Sequence, residues 1–520
     1  MKRKIAMGAL LLSALMFNGC SKDGDSKNSG TAAKEKDKNL SVFLVFNGMP
    51  LSDDWAVYKK AEEATGVKIK SYASKNNTDS TQAYNLMLAS NDFSDIIAYR
   101  VPDLEKLGSD GGMIPLNDLI DKHAPNIKKF IDENPVYKKD MYSLDGKIYA
   151  IPTYYDLDKL SVSSGLFIRT DWLKKFGLPV PKTLEETENA LTVFKEQDAN
   201  GNGRKDEVGI FVRGNIQAAL NNLTGIFGAR PYKTFYVENN QVTFATLDPN
   251  FKEAVKLAAD WYKKGLIDKE VFTRGWGARD AVLPTNIGGM TLDWFGSTAS
   301  YNSLATGQIP GFEFYPIEPI EIKDGVKSVT VGRNTTPEIG WGISAAAKNP
   351  EQAIKFMDWW FSEEGRRTWN FGIEGKHYTM VDGKPVFTDY VLNNPDGKGP
   401  LKVLQEVGAQ VSGPGVQQDA DYELQYSNDI AKQGFEMYMK GDNTTRPLPI
   451  LKYSPKDIKE LDKIMALVNQ TTEEYMQKWI LGVSDIDTDW DTYISRIQQN
   501  GVERAKEIVQ KGYNHYNSIK

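Results

Sequence analysis

A strand–helix–strand–helix–strand rhythm over residues 40–100 constrains the fold of this 520-residue chain more than any other feature. LSVFLVF (40–46) is a continuous apolar run of the kind buried on both faces of a parallel sheet. Ser52 is placed to cap a helix over 53–65, with Trp55, Tyr58 and Ala61 on one face and Gly66 ending it. VKIKSY (67–72) alternates as a strand, the stretch around 81–89 presents Tyr84, Met87 and Leu88 as a helix would, and SDIIAYR (94–100) is a third strand. Such an alternation needs crossover connections and predicts an α/β fold of doubly wound sheets. Ligands in these sheets bind outside the carboxyl ends of the strands, which here carry Asn47-Gly48 and Tyr99-Arg100.

A second unit begins after KIYAIPTYYD (147–156), whose apolar strand runs into Pro152 and then Tyr154 and Tyr155, the place for a crossover between lobes. GLFIRTDWLKKFG (165–177) reads as a short strand and a helix, and Thr183 with Glu186 forms a capping box for a helix to Gln197. Helical spacing of Val255, Leu257, Ala258 and Trp261 marks a helix over 254–264, and GGMTLDWFGS (288–297) reads as a strand ending in exposed aromatics. Asn349-Pro350 opens a helix closed by Gly365; a second capping box at Thr471 and a helix from about Trp490 complete the tail.

The amino terminus limits where the chain works. Lys2, Arg3 and Lys4 precede an apolar run from Ile5 to Phe17 and then Asn18-Gly19-Cys20, the layout of a secretory signal too short to span a bilayer. Cys20 is the sole cysteine, so no internal disulfide staples the fold. Its position resembles that of the lipidated cysteine of bacterial lipoproteins, which implies a diacylglyceryl anchor; an ordinary signal followed by a chance thiol is the plain alternative. Residues 21–39 hold no large apolar side chain and read as a flexible tether. Loss of Lys2, Arg3 and Lys4 with the signal moves the formal net charge from −6 to −9, which argues against nucleic acid as a partner.

The sharpest local motif is DANGNGRKDE (198–207). Asp198, Asn200 and Asn202 place side-chain oxygens at alternate positions, Gly203 permits the sharp turn, the Arg204 carbonyl follows, and Asp206 and Glu207 add carboxylates. Hard cations such as Ca²⁺ want six to eight oxygens on such a loop. Gly209 stands where an EF-hand has its bidentate Glu, so Glu207 would substitute; a polar Asn-Gly turn is the alternative.

Aromatic residues are abundant, with 11 Trp, 24 Tyr and 22 Phe, and most must serve the core. Tyr99, Tyr154, Tyr155, Trp276, Trp294 and Trp341 fall instead at strand ends, loops or crossovers, where flat rings line clefts and stack on sugars. Arg100, Arg169, Arg230, Arg279 and Arg333 are candidates to grip the carboxylate of an acidic sugar, or else ordinary surface charges. Nucleotide, zinc-protease and serine-hydrolase motifs are missing, and His123, His377 and His515 are far apart in sequence.

With these residues in view, the chain resembles the extracellular solute-binding proteins of ABC importers, in particular the large lipoprotein group with alginate- and oligosaccharide-binding members. The likeness is carried by RTDWLKKFGLPVPKT followed by DANGNGRKDE, by GWGISAAAKNPEQAIKFMDWWFSEEG, by FGIEGKHYTMVDGK and by WDTYISRIQQNGVERAKEIVQKGY. It implies a structural calcium ion at Asp198, Asn200, Asn202, Arg204, Asp206 and Glu207. It also implies a sugar cleft bordered by Asn47, Tyr99 and Arg100 from one lobe and by Trp294 from the other. The implied lobes are 40–155 with 340–385, and 156–339 with 386–520, closing by a hinge. The expected protein is a monomer anchored by lipid at the outer face of the membrane, delivering an oligosaccharide to permease subunits with a separate ATPase. A surface glycan lyase or hydrolase using the same cleft is the rival reading, and an adhesion lipoprotein a third.

Overall fold

A computed structural model describes residues 39–46, 49–157, 160–305, 307–417, 419–441 and 444–519. The signal segment, Cys20, residues 21–38 of the tether and Asn47 lie outside the described residues; Asn39, counted with the tether from sequence, opens the first strand. Two main sheets organise the rest. Their strands are β1 (Asn39–Phe43), β2 (Lys68–Ser71), β3 (Ile96–Arg100), β4 (Ile151–Tyr155), β5 (Ser164–Arg169), β6 (Val208–Ile210), β7 (Gly288–Trp294), β8 (Phe314–Ile317), β9 (Ile339–Ile343) and β10 (Gly415–Gln417). The first sheet has the order β10-β4-β9-β3-β1-β2 and the second β8-β5-β7-β6.

β1 pairs in parallel with both β2 and β3, as the opening rhythm requires. The apolar run of β1 is continuous because both sheet faces are covered. Leu40, Val42, Ile96 and Ala98 join one core with Tyr58 and Ala61 of α1 (Ala56–Thr65). Phe43, Val45 and Ile97 join another with Tyr84 and Met87 of α2 (Ser80–Ser90). Period-two alternation thus sends successive residues to opposite cores. The second sheet repeats the pattern, with Leu166 and Ile168 in one core and Phe167 in another. β9 runs antiparallel to β3 and β4, and β5 antiparallel to β7 and β8, so neither sheet is wholly parallel.

Several local expectations hold and others shift. Gly66 closes α1 in the left-handed region (φ 69°), and Thr183 and Glu186 make both bonds of the capping box that starts α3 (Leu184–Glu196). α1 begins three residues later than predicted, after a turn, and Ser52 does not cap it. Thr471 starts nothing: it lies inside the 26-residue α4 (Pro455–Ile480), because Val468, Thr472 and Met476 continue the buried face through it. The tail forms two helices, α5 (Ile486–Gln499) and α6 (Val502–Ser518), with Gly501 at φ 98° between them.

The two sheets are joined by several chain segments. Residues 155–162 and 331–339 connect them, and the Tyr155 N–H donates to the Thr335 carbonyl at 2.7 Å. The switch expected at 385 comes later. Val391, Val403, Leu404 and Val411 pack in the first sheet's core, and β10 pairs with β4, before Ala431 and Phe435 enter a core of the second sheet. A further segment returns near Lys452, whose buried ammonium pairs with Glu105 and donates to the Asp140 carbonyl at 2.7 Å. Burial raises the Asp140 carboxyl to about 6.

A carboxyl with a raised folded pKa holds its proton more tightly folded than unfolded. Its stabilising contribution is therefore full near pH 4 and is lost as pH rises through about 6. Asp140→Asn is expected to gain on the parent by up to about 3 kcal/mol between pH 4 and 7.5. Urea unfolding at both pH values checks this; a pH-independent difference between the two proteins would contradict it.

Candidate functional site

Asp293, buried near the carboxyl end of β7, organises the groups beside two exposed tryptophans. Its carboxylate accepts from Arg213 Nε at 3.1 Å and Nη2 at 2.7 Å, and from Arg279 Nη1 at 3.1 Å. It also accepts from the backbone N–H of Trp294 at 2.8 Å. Arg279 Nη1 donates further to Ser297 Oγ at 2.8 Å and Thr298 Oγ1 at 2.9 Å. One buried anion thus fixes two guanidinium groups and the backbone that carries a tryptophan, the kind of charge-assisted network that holds side chains in one arrangement.

Two tryptophans stand out from this network. Trp294 is 47 % exposed and Trp276 61 %, although indoles are normally withdrawn from water. The Arg213 guanidinium lies 5.5 Å from the Trp276 ring, and that of Arg333 5.7 Å from the Trp294 ring. Beside Trp294 lies a cavity of ≈ 280 Å³ whose polar lining includes Ser163, Ser164, Asn221, Asn222 and Arg333. Arg333 also borders an adjoining cavity of ≈ 470 Å³ that reaches Asp140 and Tyr154 of the first-sheet side. Hydroxyl and amide groups next to an exposed indole can bind the rim and face of a sugar ring together.

The first sheet contributes its own strand ends. Tyr99 stacks on Tyr84 with centroids 3.9 Å apart and donates its hydroxyl to Thr81 Oγ1 at 3.4 Å. Arg100 pairs with Glu338 at 3.2 Å and Asp103 at 3.6 Å; burial raises the Asp103 carboxyl, with Arg100 opposing. Tyr154 packs edge-on against Phe130 at 4.9 Å and reaches the larger of the two cavities. Tyr155 is half-buried, and burial raises its hydroxyl with Arg333 acting against the shift.

Two predicted contacts are corrected. Trp341 is fully buried in β9, within the first sheet's core, and cannot touch a ligand. Arg333 does border both cavities, but its fork is taken: Nη1 and Nη2 bond the Glu423 carboxylate at 2.6 and 2.7 Å, both side chains being 7 % exposed. The other arginines proposed for an acidic sugar are likewise engaged. Arg169 is buried against Asp171, Arg230 lies 3.9 Å from Asp248, and Arg279 bonds Asp293. Arg213 and Asp293 escaped sequence reasoning because LDW reads as a plain strand end; a carboxylate inside an apolar strand was the available signal.

The loop over 198–207 closes on itself. Asp198 accepts from the N–H groups of Asn202 at 3.0 Å and Gly203 at 2.8 Å, with Gly203 at φ 80°, a conformation that favours glycine. Asn200 and Asn202 donate their amides to Asp206 at 3.0 Å, and Asn200 N–H donates to Glu207 Oε1 at 3.0 Å. Arg204 pairs with Asp206 at 2.9 Å, and the hydrogen bonds from Asn200 and Asn202 help hold the Asp206 carboxyl below its usual range. Glu207 is nearly buried, and its Oε2 has no hydrogen-bond partner. No cluster of three or more His, Cys, Asp or Glu able to hold a metal occurs among the described residues. The donor set here mixes carboxylates with amide and carbonyl oxygens, which suits a hard cation, and the orphaned Glu207 oxygen fits a ligand role.

A larger hollow of ≈ 910 Å³ lies among Leu160, Val386, Leu424, Phe435 and Met439. Lys384, Gln425, Lys432 and Glu436 are among its polar lining residues, but it contains neither Trp276 nor Trp294. Among the described residues no helix is long and apolar enough to cross a membrane.

Comparison with known proteins gives a consistent picture. The family model for bacterial extracellular solute-binding proteins matches residues 51–367. The fructooligosaccharide ABC transporter substrate-binding protein FusA of Streptococcus pneumoniae is 28% identical over 528 residues, covering 95% of this chain and 94% of FusA. Lipoprotein LipO of Bacillus subtilis is 26% identical over 406 residues, covering 74% of this chain and 75% of LipO. Among solved structures, the alginate-binding protein AlgQ2 without calcium ion superposes with a TM-score of 0.82 at 34% identity, covering 92% of this chain and 99% of that one. FusA in complex with kestose gives 0.76 at 25% identity, covering 93% and 100%.

Proposed function

Because the chain belongs to the bacterial extracellular solute-binding proteins, we propose that it is a lipid-anchored receptor that captures an oligosaccharide and hands it to an ABC permease. The observation that carries this reading is Trp294, held half in water beside a hydroxyl- and amide-lined cavity at the end of β7. FusA, similar along nearly the whole chain, is named for fructooligosaccharides and has a structure with kestose. The two sheets act as lobes hinged at the joining segments, and a sugar held by both makes contacts that the open form lacks. A permease can then tell the loaded shape from the empty one.

The glycan-degrading alternative has no support in the family, whose relatives here are binding proteins. A thermal-shift screen with oligosaccharides tests the receptor reading: a ligand at one hundred times its Kd stabilises by about 2.7 kcal/mol. No shift with any oligosaccharide, or release of new reducing ends from polysaccharide, would defeat it.

The 198–207 loop is proposed to hold calcium, with Asp198, Asn200, Asn202, Asp206, Glu207 and the Arg204 carbonyl as ligands. Its role is structural, at the junction of α3 and β6; similar structures include an alginate-binding protein without calcium ion and an EF-hand mutant of FusA. Chelation is expected to lower the Tm and re-addition of Ca²⁺ to restore it; an unchanged Tm would count against the site. The anchor is proposed at Cys20, as the similar LipO is a lipoprotein. Cys20→Ser is expected to move the protein from the membrane fraction to the medium, and retention at the membrane would contradict it.

A further inference from the structure

We infer that the Trp294 cavity is built for a neutral oligosaccharide and discriminates against uronic acids. This deepens the receptor reading and rests on it. Two similar solved structures differ on the point, since one is named for alginate and the other is of FusA, named for fructooligosaccharides. Charge accounting at the site separates them.

A uronate carboxylate brought into a cleft loses its hydration and needs a cation whose charge is not already balanced by another carboxylate. Around Trp294 each nearby guanidinium is already charge-paired with a carboxylate, and the Nε groups of Arg279 and Arg333, which have no hydrogen-bond partner, are buried. Arg333 gives both terminal nitrogens to Glu423. Arg213 gives its Nε and Nη2 to Asp293, and Arg279 shares Nη1 among Asp293, Ser297 and Thr298. Asp280, bonded by Tyr301, lies close enough to Arg279 and Arg213 to interact with both charges. Two arginines therefore face two aspartates, one arginine faces one glutamate, and this wall is electrically balanced.

The first-sheet side leans the other way. Arg100 is matched by two carboxylates, Glu338 and Asp103, and the charges of Asp462 on α4 and of Lys106 also reach Asp103, leaving three carboxylates against two cations. An anionic sugar bridging the lobes would meet surplus negative charge there. What the cavity does offer is Ser163, Ser164, Asn221, Asn222 and an exposed indole, the partners of hydroxyl groups and ring faces. Arg446, exposed at the adjoining cavity, is the cation there with no carboxylate partner among the described residues. An acidic sugar would have to enter through it.

The test is calorimetric titration of the whole mature chain, with Ca²⁺ present. The probes are kestose and matched tetrasaccharide pairs: galactose against galacturonic acid, and mannose against mannuronic acid. At least one neutral probe is expected to bind with an affinity that barely changes from low to high salt. The uronate counterpart is expected to bind at least about tenfold more weakly. Uronates binding as tightly as their neutral partners, or more tightly, would overturn the inference while leaving the receptor reading intact. Loss of that binding in Arg446→Ala would then locate the grip. Binding of no sugar in either class would remove the receptor reading, and this inference with it.

Discussion

Trp294→Ala is expected to weaken oligosaccharide binding by about 30-fold or more, equivalent to a truncated hot-spot side chain of at least about 2 kcal/mol. The indole is 47 % exposed, so its removal leaves no buried void and little of the fold's stability depends on it. Its position is set by other groups: the Asp293 carboxylate holds the backbone N–H of Trp294, and Arg333 lies near the ring. A Tm close to that of the parent, with affinity lost, is the combination this account requires. Affinity within twofold of the parent in titration calorimetry would mean that the sugar lies elsewhere. Trp276, still more exposed and next to Arg213, is expected to contribute in the same direction for longer ligands.

Glu423→Ala carries the largest expected stability effect, a loss of about 3–5 kcal/mol, because it strands a buried guanidinium. Arg333 and Glu423 are each 7 % exposed, and Arg333 Nε already lacks a partner. The pair ties the 331–339 connection to the segment that leads from β10 into the second sheet. Nearby, Arg366 binds Asp156 at 3.0 Å and Asp419 at 2.8 Å, joining two further stretches of the same connections. Replacing both partners, as in Arg333→Met with Glu423→Leu, is expected to recover much of the loss, since no unpaired charge remains. Urea unfolding of the single and double variants measures this. A single variant as stable as the parent would show that the pair contributes nothing to the junction.

The parts of this molecule governed by local chemistry were legible in the sequence. The β1–α1–β2–α2–β3 rhythm, the Thr183–Glu186 box and the Gly66 stop depend on neighbours within a few residues. Trp294 was legible too, because a strand end followed by Phe-Gly-Ser leaves one ring outside. Trp341 was misread for a physical reason. Gly340 and Gly342 on either side look like loop punctuation, yet both lie in β9 where neighbours crowd the backbone. A Cβ at Gly340 would come within 2.8 Å of Val101, and one at Gly342 within 2.4 Å of Met113 and of the Tyr149 carbonyl. The glycines there mark close packing, and the tryptophan between them faces the core.

The commitments of the arginines were illegible for a different reason. Glu423 lies 90 positions from Arg333, and Asp293 lies 80 from Arg213, separations that no local pattern encodes. The late switch of the chain between sheets was hidden similarly, since residues 391–411 have short helices that fit either core until their contacts are known. A reading of cationic residues as free hands for an acidic ligand therefore overcounts them, and the folded chain returns a balanced wall.

Small-angle X-ray scattering with and without a saturating oligosaccharide, its binding established by calorimetry, tests the central claim most directly. Two hinged sheets closing on a sugar require the radius of gyration to fall on binding, and Trp294→Ala at the same sugar concentration to retain the open value. Identical scattering from the empty and the fully loaded protein would contradict the account.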